Sequence, residues 1–415
     1  MEKIRLCLGL ILVIPSLIFP EINIFGRDFM LKEIALLFLK LGFIAFGGPA
    51  AHIAMMEDEV VTKRKWMSRQ HFLDLVGATN LIPGPNSTEM AIHCGFHRAG
   101  FAGLIVAGIC FIGPAAILTG FLAYFYVAYG NIPEIEPFFF GIKPAVIIII
   151  LSAVYKLGQK ALKTFLLGLI GTAVLIASLL GMNEVFAILS GGIVGMLIIY
   201  FKNRIKGNSL NSLIPLFSNL KLKLPLASFL AFTSTTISSI SLLKLFLIFL
   251  KIGAILFGSG YVLVAYLDGE LVKNLGWLTA DQLIDAIAIG QFTPGPVLST
   301  ATFIGYQIKG FGGAVVATLG IFLPSFFFVA ILNPIIPKLR QSKLASGFLD
   351  AVNISAVSIM ISATIHLSKQ VLVDWKSILI AVVSGFMVFK FKKINSAYIV
   401  LGSAIFGFLL YQLPF

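Results

Sequence analysis

Residues 83–88 read Pro-Gly-Pro-Asn-Ser-Thr, and residues 294–300 read Pro-Gly-Pro-Val-Leu-Ser-Thr. Proline has no N–H to donate and its ring clashes with the preceding turn, so neither segment continues a helix. Each Pro-Gly-Pro is flanked by arms of about a dozen residues, well short of the roughly 20 that a helix needs to cross a bilayer. In a membrane protein, these segments predict two broken, re-entrant hairpins.

The composition indicates a protein that crosses a membrane several times. Of 415 residues, 58% are hydrophobic and only 12% are charged, about half of the roughly 25% that is usual in a soluble domain. The mean hydropathy is +0.99. The net charge of +13 points to cytoplasmic loops rather than to nucleic acid, because Lys and Arg lie mainly between apolar segments. The 3 scattered cysteines predict neither a disulfide framework nor a metal site, and we expect no metal and no cofactor.

The two Pro-Gly-Pro segments belong to an internal repeat with an offset of 211 residues. Phe-Leu-Lys-Leu-Gly at 38–42 recurs as Phe-Leu-Lys-Ile-Gly at 249–253. About fifteen of about forty-eight positions are identical, which is a strong repeat signal. After a one-residue deletion the register continues, so that Pro114 corresponds to Pro324. The two halves of the chain therefore share one plan.

The loop charges predict that the two halves have opposite orientations in the membrane. Residues 129–142 hold two glutamates and no Lys or Arg, whereas the matching residues 333–346 hold three basic side chains. Four pairs of matching loops alternate in opposite phase in this way. Because Lys and Arg concentrate in cytoplasmic loops, we interpret the repeat as inverted.

We therefore predict an all-α polytopic membrane protein with two inverted-topology repeats, each with five spanning helices and a re-entrant Pro-Gly-Pro hairpin. The predicted repeats occupy residues 31–201 and 241–415. An N-terminal apolar anchor helix at 1–30 precedes them, and a basic cytoplasmic linker and approach segment at 202–240 joins them. The predicted spans are 31–56, 100–128, 144–156, 164–181 and 185–201 in the first repeat, and 241–267, 311–332, 347–368, 376–390 and 395–413 in the second.

The two hairpin tips are the strongest candidates for a substrate site. Broken helices in paired positions of two repeats are typical of transporter sites, since non-helical backbone at membrane depth must be satisfied by protein or by a water-filled cavity. We expect Asn86, Ser87 and Thr88 to cap the second arm, with free N–H groups and the positive end of the helix dipole facing an anion. Ser299 and Thr300 would supply hydroxyl groups in the second repeat. The alternative is a structural kink without a ligand.

A second pair of breaks lies inside the first helix of each repeat. The small residues there are Gly47 and Gly48 in the first repeat and Gly258 and Ser259 in the second. We interpret them as lining the cavity beside the hairpin tips. The alternative is that the glycines only allow helices to pack closely.

Charged side chains occur at depth in both first helices. Lys40 and Lys251 occupy matching positions, where an unpaired cation costs roughly 2.5 to 3.5 kcal/mol on insertion scales. We predict that each lysine helps to hold an anion or pairs with a carboxylate such as Asp74 or Asp285. The alternative is that both side chains snorkel to an interface.

Glu89 and His93 are candidates for carrying a proton. They stand four residues apart on the arm after the first break, hence on one face of a helix. Partly buried Glu and His side chains can titrate near neutral pH. The alternative is a structural hydrogen-bonded pair.

Several of these motifs together resemble the chromate ion transporter family in its long two-domain form. They are Phe-Gly-Gly-Pro-Ala-Ala-His at 46–52, the run PGPNSTEMAIHCG at 83–95 and Thr-Pro-Gly-Pro at 293–296. The resemblance covers nearly the whole chain after the predicted anchor. It implies a multi-pass protein of the inner membrane that exports chromate and is driven by the proton motive force. Rocking of one repeat against the other would give alternating access.

Taken together, the candidate substrate-binding residues are Lys40, Gly47, Gly48, Pro83, Gly84, Pro85, Asn86, Ser87, Thr88, Lys251, Gly258, Ser259, Pro294, Gly295, Pro296, Ser299 and Thr300. The expected partners are chromate or a similar oxyanion and the lipid bilayer, with no nucleic acid, and a homodimer stays open. A sulfate or general oxyanion carrier is one alternative, because sulfate has the charge and shape of chromate. A membrane-bound chromate reductase is another, although the sequence lacks haem, dinucleotide and paired-cysteine motifs.

Overall fold

In the computed structural model of the protein, the described residues form helices joined by short non-helical segments, with no strand among them. The described residues are 24–46, 48–79, 82–130, 134–205, 240–258, 260–332, 342–391 and 394–412. Parts of several predictions lie outside these ranges, among them Gly47, Ser259, residues 1–23 of the anchor, residues 206–239 of the linker and residues 333–341 of the basic loop at 333–346.

The first half of the chain begins with a helix that is interrupted midway. Its helices are α1 (Ile24–Ile44), α2 (Pro49–Glu57), α3 (Arg69–Thr79), α4 (Asn86–Tyr129), α5 (Glu136–Ala161), α6 (Phe165–Leu179) and α7 (Glu184–Ile205). The break between α1 and α2 ends at Pro49, which suits the first helical position because its missing N–H would have no intrahelical acceptor there. Helix α2 continues into a π-helical turn, Asp58–Lys63.

The second half repeats this order of elements. Its helices are α8 (Leu242–Ile255), α9 (Leu263–Leu267), α10 (Ala280–Phe292), α11 (Thr300–Leu332), α12 (Lys343–Val371), α13 (Trp375–Lys390) and α14 (Ser396–Tyr411). Helix α9, like α2, continues into a π-helical turn, Asp268–Asn274. The side chains of Thr164 and Asp374 cap the matching helices α6 and α13. Local structure therefore follows the repeat as closely as the sequence does.

Three of the predicted spans differ clearly from the structure. The spans predicted at 31–56 and 241–267 are each divided by a break, between α1 and α2 and between α8 and α9. The span predicted at 144–156 is only the middle of α5, which has 26 residues and contains Pro144. An interior proline disfavours a helix, but it is tolerated in membrane helices where neighbouring groups satisfy the freed carbonyl. The prediction therefore began this helix too late.

Helices α4 and α11 each fold back on themselves. The backbone takes a φ of 60° at Gly100 and of 61° at Gly310, which interrupts the helix at matching positions. Gly95 and Gly103 lie so close together that a Cβ on either would overlap the other's carbonyl group. In a straight helix they would be about 12 Å apart. Each helix is thus a hairpin, with a short arm that follows the Pro-Gly-Pro tip and a long arm that follows the turn.

The two halves interlock rather than lying side by side. Helix α7 at the end of the first half packs against α12 of the second, and α14 packs in the same way against α5. Helices α5 and α12 contact each other, as do α4 and α11. Neither half would bury its own tip without the other.

The outer surface is that of a polytopic membrane protein. Among the described helices, α4, α5, α11 and α12 are long and apolar enough to cross a membrane. Both long arms expose large apolar side chains on one face, at matching spacings of four or eight residues. They are Phe101, Ile105, Ile109, Ile117 and Phe121 in α4, and Phe311, Val315, Leu319, Leu323 and Phe327 in α11. Such a continuous apolar stripe suits contact with lipid rather than with water.

Candidate functional site

Each Pro-Gly-Pro tip contacts the helix break of the other repeat. The N–H of Gly84 donates to the carbonyl of Leu256 at 2.7 Å, and the N–H of Gly295 donates to the carbonyl of Ala45 at 2.8 Å. Leu256 and Ala45 follow α8 and α1 at matching positions of the repeat. The two hydrogen bonds are therefore equivalent, and they bring both tips and both breaks into one central region.

Glycine is required at both tips for two reasons. Gly84 and Gly295 have φ values of 145° and 92°, which side chains other than glycine rarely adopt. A Cβ at Gly84 would overlap the Glu89 carboxylate and would lie 2.6 Å from the Ser325 hydroxyl oxygen. A Cβ at Gly295 would lie 2.8 Å from that of Ala115, the counterpart of Ser325. Close packing thus holds each tip against the long arm of the other repeat.

The first turn after each tip offers backbone N–H groups, although not with the predicted caps. Pro85 rather than Asn86 is the N-cap of α4, and its side chain makes no capping hydrogen bond. The backbone N–H of Glu89 is the first that donates to a carbonyl within the turn, that of Pro85 at 3.0 Å. In the second repeat, Pro296 caps a short 3-10 turn before α11 begins at Thr300. The positive end of a helix dipole therefore faces the first tip.

The predicted hydroxyl groups are buried near the tips but differ in their bonding. Thr119 of α4 donates to Ser299 at 3.2 Å, which links the two repeats. Thr300 donates to the carbonyl of Val297 at 2.8 Å. Ser87 and Thr88 are also buried, and the Thr88 hydroxyl has no hydrogen-bond partner in the described part of the chain. The first tip therefore offers a hydroxyl that is not already used.

Glu89 and His93 do not form the hydrogen-bonded pair considered as an alternative. Both side chains are buried. Across the described ranges, neither carboxylate oxygen of Glu89 and neither ring nitrogen of His93 has a hydrogen-bond partner. Burying such groups without partners is costly, and an unsatisfied group of this kind in a native fold calls for an explanation beyond packing.

The helix breaks beside the tips have backbone conformations that favour glycine. Gly48 has a φ of 80° and Gly258 a φ of 97°, at the breaks that follow α1 and α8. His52 of α2, which the residue-level reasoning missed, lies 3.0 Å from the carbonyl of Ala45 through its Nε2 atom. Its only signal in the sequence was its place in the motif at 46–52.

Lys40 and Lys251 each pair with a glutamate at matching positions. The Nζ atom of Lys40 lies 3.1 Å from Glu59, and that of Lys251 lies 3.1 Å from Glu270. The prediction of Asp285 as a partner was wrong, because Asp285 lies 3.9 Å from Lys143 instead. The sequence analysis did not predict either glutamate as a partner, although Glu59 and Glu270 are visible in the sequence as matching residues of the two repeats.

The Glu59 carboxylate lies just beyond the predicted span, and three cations hold it in its charged form. Partial burial disfavours its charge, but hydrogen bonds from Lys40, Arg64 and Lys63 outweigh that effect and lower the pKa of Glu59 to about 2. Arg64 also lies 3.7 Å from Glu33. This network therefore stays charged throughout the physiological pH range.

Asp285 forms a contact between the repeats that the sequence did not predict. Tyr126 of α4 donates to Asp285 at 2.7 Å, and Lys143 of α5 lies 3.9 Å from Asp285 and 3.3 Å from Asp281. Asp281 and Asp285 both belong to α10, the first arm of the second hairpin. For Asp74, the counterpart of Asp285, the amide of Gln70 donates at 3.4 Å. The two repeats are therefore alike in backbone but not in these side-chain contacts.

Another buried cluster was also missed. The Asp268 carboxylate is buried and lies 2.7 Å from the Nζ atom of Lys273 and 2.9 Å from Nδ1 of His366. Asp268 corresponds in the repeat to Glu57, which lies 2.9 Å from Arg69. The presence of an acidic residue at both matching positions could have indicated this cluster from the sequence. Over the described residues, His, Cys, Asp and Glu form no group of three or more that could hold a metal ion.

Comparison with known proteins identifies the family. The family model described as "Chromate transporter" matches residues 32–196 and, separately, residues 243–408. The chain belongs to the chromate transporter family. The two matches correspond to a long, two-domain form of this family, as the resemblance of the motifs implied.

Named relatives of the chromate transporter family cover the chain almost end to end. The "Probable chromate transport protein" of Synechococcus elongatus is 32% identical over 383 residues, which is 91% of this chain and 95% of the relative. The "Chromate transport protein" of Cupriavidus metallidurans is 30% identical over 389 residues, 93% of this chain and 94% of the relative. No solved structure matches the chain. The family is one of transporters rather than enzymes.

Proposed function

We propose that this protein exports chromate, or a closely similar oxyanion, across the inner membrane by alternating access. The observation that carries the proposal is the reciprocal pair of hydrogen bonds between tips and breaks, Gly84 to Leu256 and Gly295 to Ala45. They join two broken segments at matching positions of two repeats, which is the usual construction of a transporter site. The named relatives supply the substrate class.

The proposed topology has two inverted repeats with re-entrant Pro-Gly-Pro hairpins. The alternating loop charges support opposite orientations. The turns at Gly100 and Gly310 support hairpins whose short arms enter and leave on one side. Exchange of the last helices between the repeats, α7 onto α12 and α14 onto α5, gives each repeat a surface on which the other can rock.

A tetrahedral dianion would lie between the two tips. The first-turn N–H groups of α4, the hydroxyl groups of Ser87 and Thr88, and the positive end of the α4 dipole would hold it on one side. The tip at Gly295, with Ser299 and Thr300, would bound it on the other. Lys40 and Lys251 already have glutamate partners. Each would contact the anion only in a state of the transporter in which its ion pair with glutamate is broken.

The membrane potential alone favours the export of a dianion. Each charge that moves across the membrane gains roughly 2.3 kcal/mol per 100 mV, and the cytoplasm is the negative side. Protonation of Glu89 would make binding of the dianion at the first tip more favourable. A charged carboxylate there repels a dianion, whereas a neutral carboxyl group does not. His93, one turn further on, would attract the anion when protonated.

Counterflow in proteoliposomes tests the substrate without any gradient. Vesicles preloaded with unlabelled chromate should take up labelled chromate faster than protein-free vesicles do. The same vesicles loaded with sulfate should exchange more slowly if chromate is preferred. Equal exchange with both ions would indicate a general oxyanion carrier, and no exchange with either would refute the proposal.

A further inference from the structure

A cavity of about 390 Å³ opens between the repeats, and charged and polar side chains lie at one part of its otherwise apolar lining. It lies between the C-terminal end of α5 and the first half of α12, and it reaches the helix break that follows α8. The lining residues relevant here are Lys160, Lys163, Gly258, Ser346, Asp350 and Asn353. The volume is ample for a tetrahedral oxyanion together with several waters.

The repeat explains why this cavity is open. Position 353 corresponds to position 143, because the capped ends of α5 and α12 align with an offset of 210 residues. Lys143 is covered by carboxylates of α10. Among the cavity's lining residues there is none from α3, the counterpart of α10. Leu73 of α3 is 46% exposed, whereas its counterpart Ile284 of α10 is fully buried. The cavity is therefore on the side where the first hairpin does not close against the other repeat.

The cavity adjoins the helix break that binds the first tip. Gly258 lines it, with a φ of 97°, and a Cβ there would lie 3.3 Å from Oδ1 of Asn353. Two residues earlier, the carbonyl of Leu256 accepts the hydrogen bond from Gly84. The cavity therefore shares with the first tip the short backbone segment from Leu256 to Gly258.

The charges of the cavity suit an anion. Two lysines line it against a single carboxylate, Asp350, which lies 2.6 Å from the Nζ atom of Lys163. Within the described ranges, Lys160 has no ion pair and the side chain of Asn353 has no hydrogen-bond partner. Asp350 therefore pairs with one of the two lysines, and an oxyanion can compete with it for that lysine.

We propose that this cavity is an entry site for a tetrahedral oxyanion on its way to the tips. The ion binds Lys160 and the amide of Asn353, and it replaces Asp350 as the partner of Lys163. This inference rests on the proposed function, since it names the path by which the substrate reaches that site. The three lysines at 156–163 place the entrance on the cytoplasmic side under the positive-inside rule.

Opposite effects of two substitutions test the entry site. Asp350→Asn removes the competing carboxylate and should lower the concentration for half-maximal chromate binding by about two- to fivefold. Lys160→Gln should raise it by a similar factor, and Lys163→Gln should do the same. The control is Lys369→Gln, an exposed lysine on the same α12 but about 28 Å from Asp350 along the helix axis, which should change nothing. The measurement is equilibrium binding of labelled chromate to the purified full-length protein at low salt, with each variant's melting temperature recorded.

The outcomes separate the entry site from the proposed function. Wild-type counterflow of chromate with no change of affinity in Asp350→Asn, Lys160→Gln and Lys163→Gln would overturn the entry site alone. A weaker rather than tighter binding by Asp350→Asn would also overturn it. If Asp350→Asn does not fold, Lys160→Gln decides, because Lys160 makes no ion pair that its loss could disturb. Loss of chromate counterflow in the wild type would instead count against the proposed function.

Discussion

At the scale of single residues, the first tip combines a glycine that has no room for a side chain with a carboxylate that has no partner. Gly84 lies against Glu89 and Ser325, and both of these side chains are buried without hydrogen-bond partners among the residues described. The second tip has Ser299 bonded to Thr119 in the corresponding place. The repeats therefore share a backbone frame, but only the first tip carries an ionisable group.

Gly84→Ala should greatly reduce transport, because the added methyl group overlaps the Glu89 carboxylate and the residue keeps a left-handed φ. Overpacking of this kind costs about 1 to 3 kcal/mol, and we expect chromate counterflow to fall at least about tenfold. The control is Gly113→Ala in the long arm of α4, where a Cβ meets nothing within 4 Å. Equal activity of the two variants would contradict the proposed packing of the tip.

Glu89→Gln should remove the dependence of transport on the pH gradient while leaving the fold intact. Glutamine has the shape of a protonated glutamate but cannot release a proton, so the charge beside the tip no longer changes. Chromate flux would be measured in vesicles at several imposed pH gradients with the membrane potential clamped. A variant that responds to the gradient as the wild type does would exclude Glu89 from coupling.

At the scale of elements, an ion pair ties the first helix of each repeat to the π-helical turn that follows the break. The pair is Lys40 with Glu59 in one repeat and Lys251 with Glu270 in the other, each at 3.1 Å. The surroundings differ, because Lys40 is 53% exposed and Lys251 only 13%. Glu59 also has Lys63 and Arg64 as partners, whereas Lys251 is the one cation within reach of Glu270 in the described residues.

Lys251→Met should therefore destabilise the protein more than Lys40→Met. The first leaves a buried carboxylate unpaired, at a cost of about 3 kcal/mol, and the second leaves Glu59 with two cations, at a cost of about 1 kcal/mol or less. The measurement is the melting temperature of each purified variant in detergent. Equal shifts in the two variants would show that the environments do not differ as described.

The pattern of elements could be predicted because prolines and glycines act locally. Each Pro-Gly-Pro combines two prolines with a glycine and ends a helix, so the breaks and the repeat were visible in the sequence. The bounds of α5 were not, since Pro144 is accommodated by neighbouring helices. Nor were the contacts of Asp285 with Tyr126 and Lys143, because which side chains face each other across two repeats depends on how the repeats interlock.

At the scale of the whole molecule, the two repeats have the same order of elements, but their hairpins pack differently against the opposite repeat. Helix α10 is packed against the first repeat through Asp285, whereas α3 leaves Leu73 exposed. If the repeats are inverted, closure of one hairpin and opening of the other correspond to access from one side of the membrane. The structure would then be one of the two states between which the transporter alternates.

The inverted orientation predicts opposite accessibility of matching loops. In a variant without native cysteines, Glu134→Cys should react with a membrane-impermeant maleimide from outside the cell, whereas Lys343→Cys should react only in everted vesicles. The two positions lie in the matching segments at 129–142 and 333–346. A control labelling after permeabilisation should modify both. Labelling of both from the same side would refute the inverted repeat.

The central claim is gradient-driven export of an oxyanion, and chromate flux into everted vesicles tests it most directly. Energised vesicles that contain the protein should accumulate labelled chromate, because their interior is positive and corresponds to the outside of the cell. An uncoupler should abolish the accumulation, and excess sulfate should leave most of it. The absence of accumulation in energised vesicles, or accumulation that survives the uncoupler, would contradict the account.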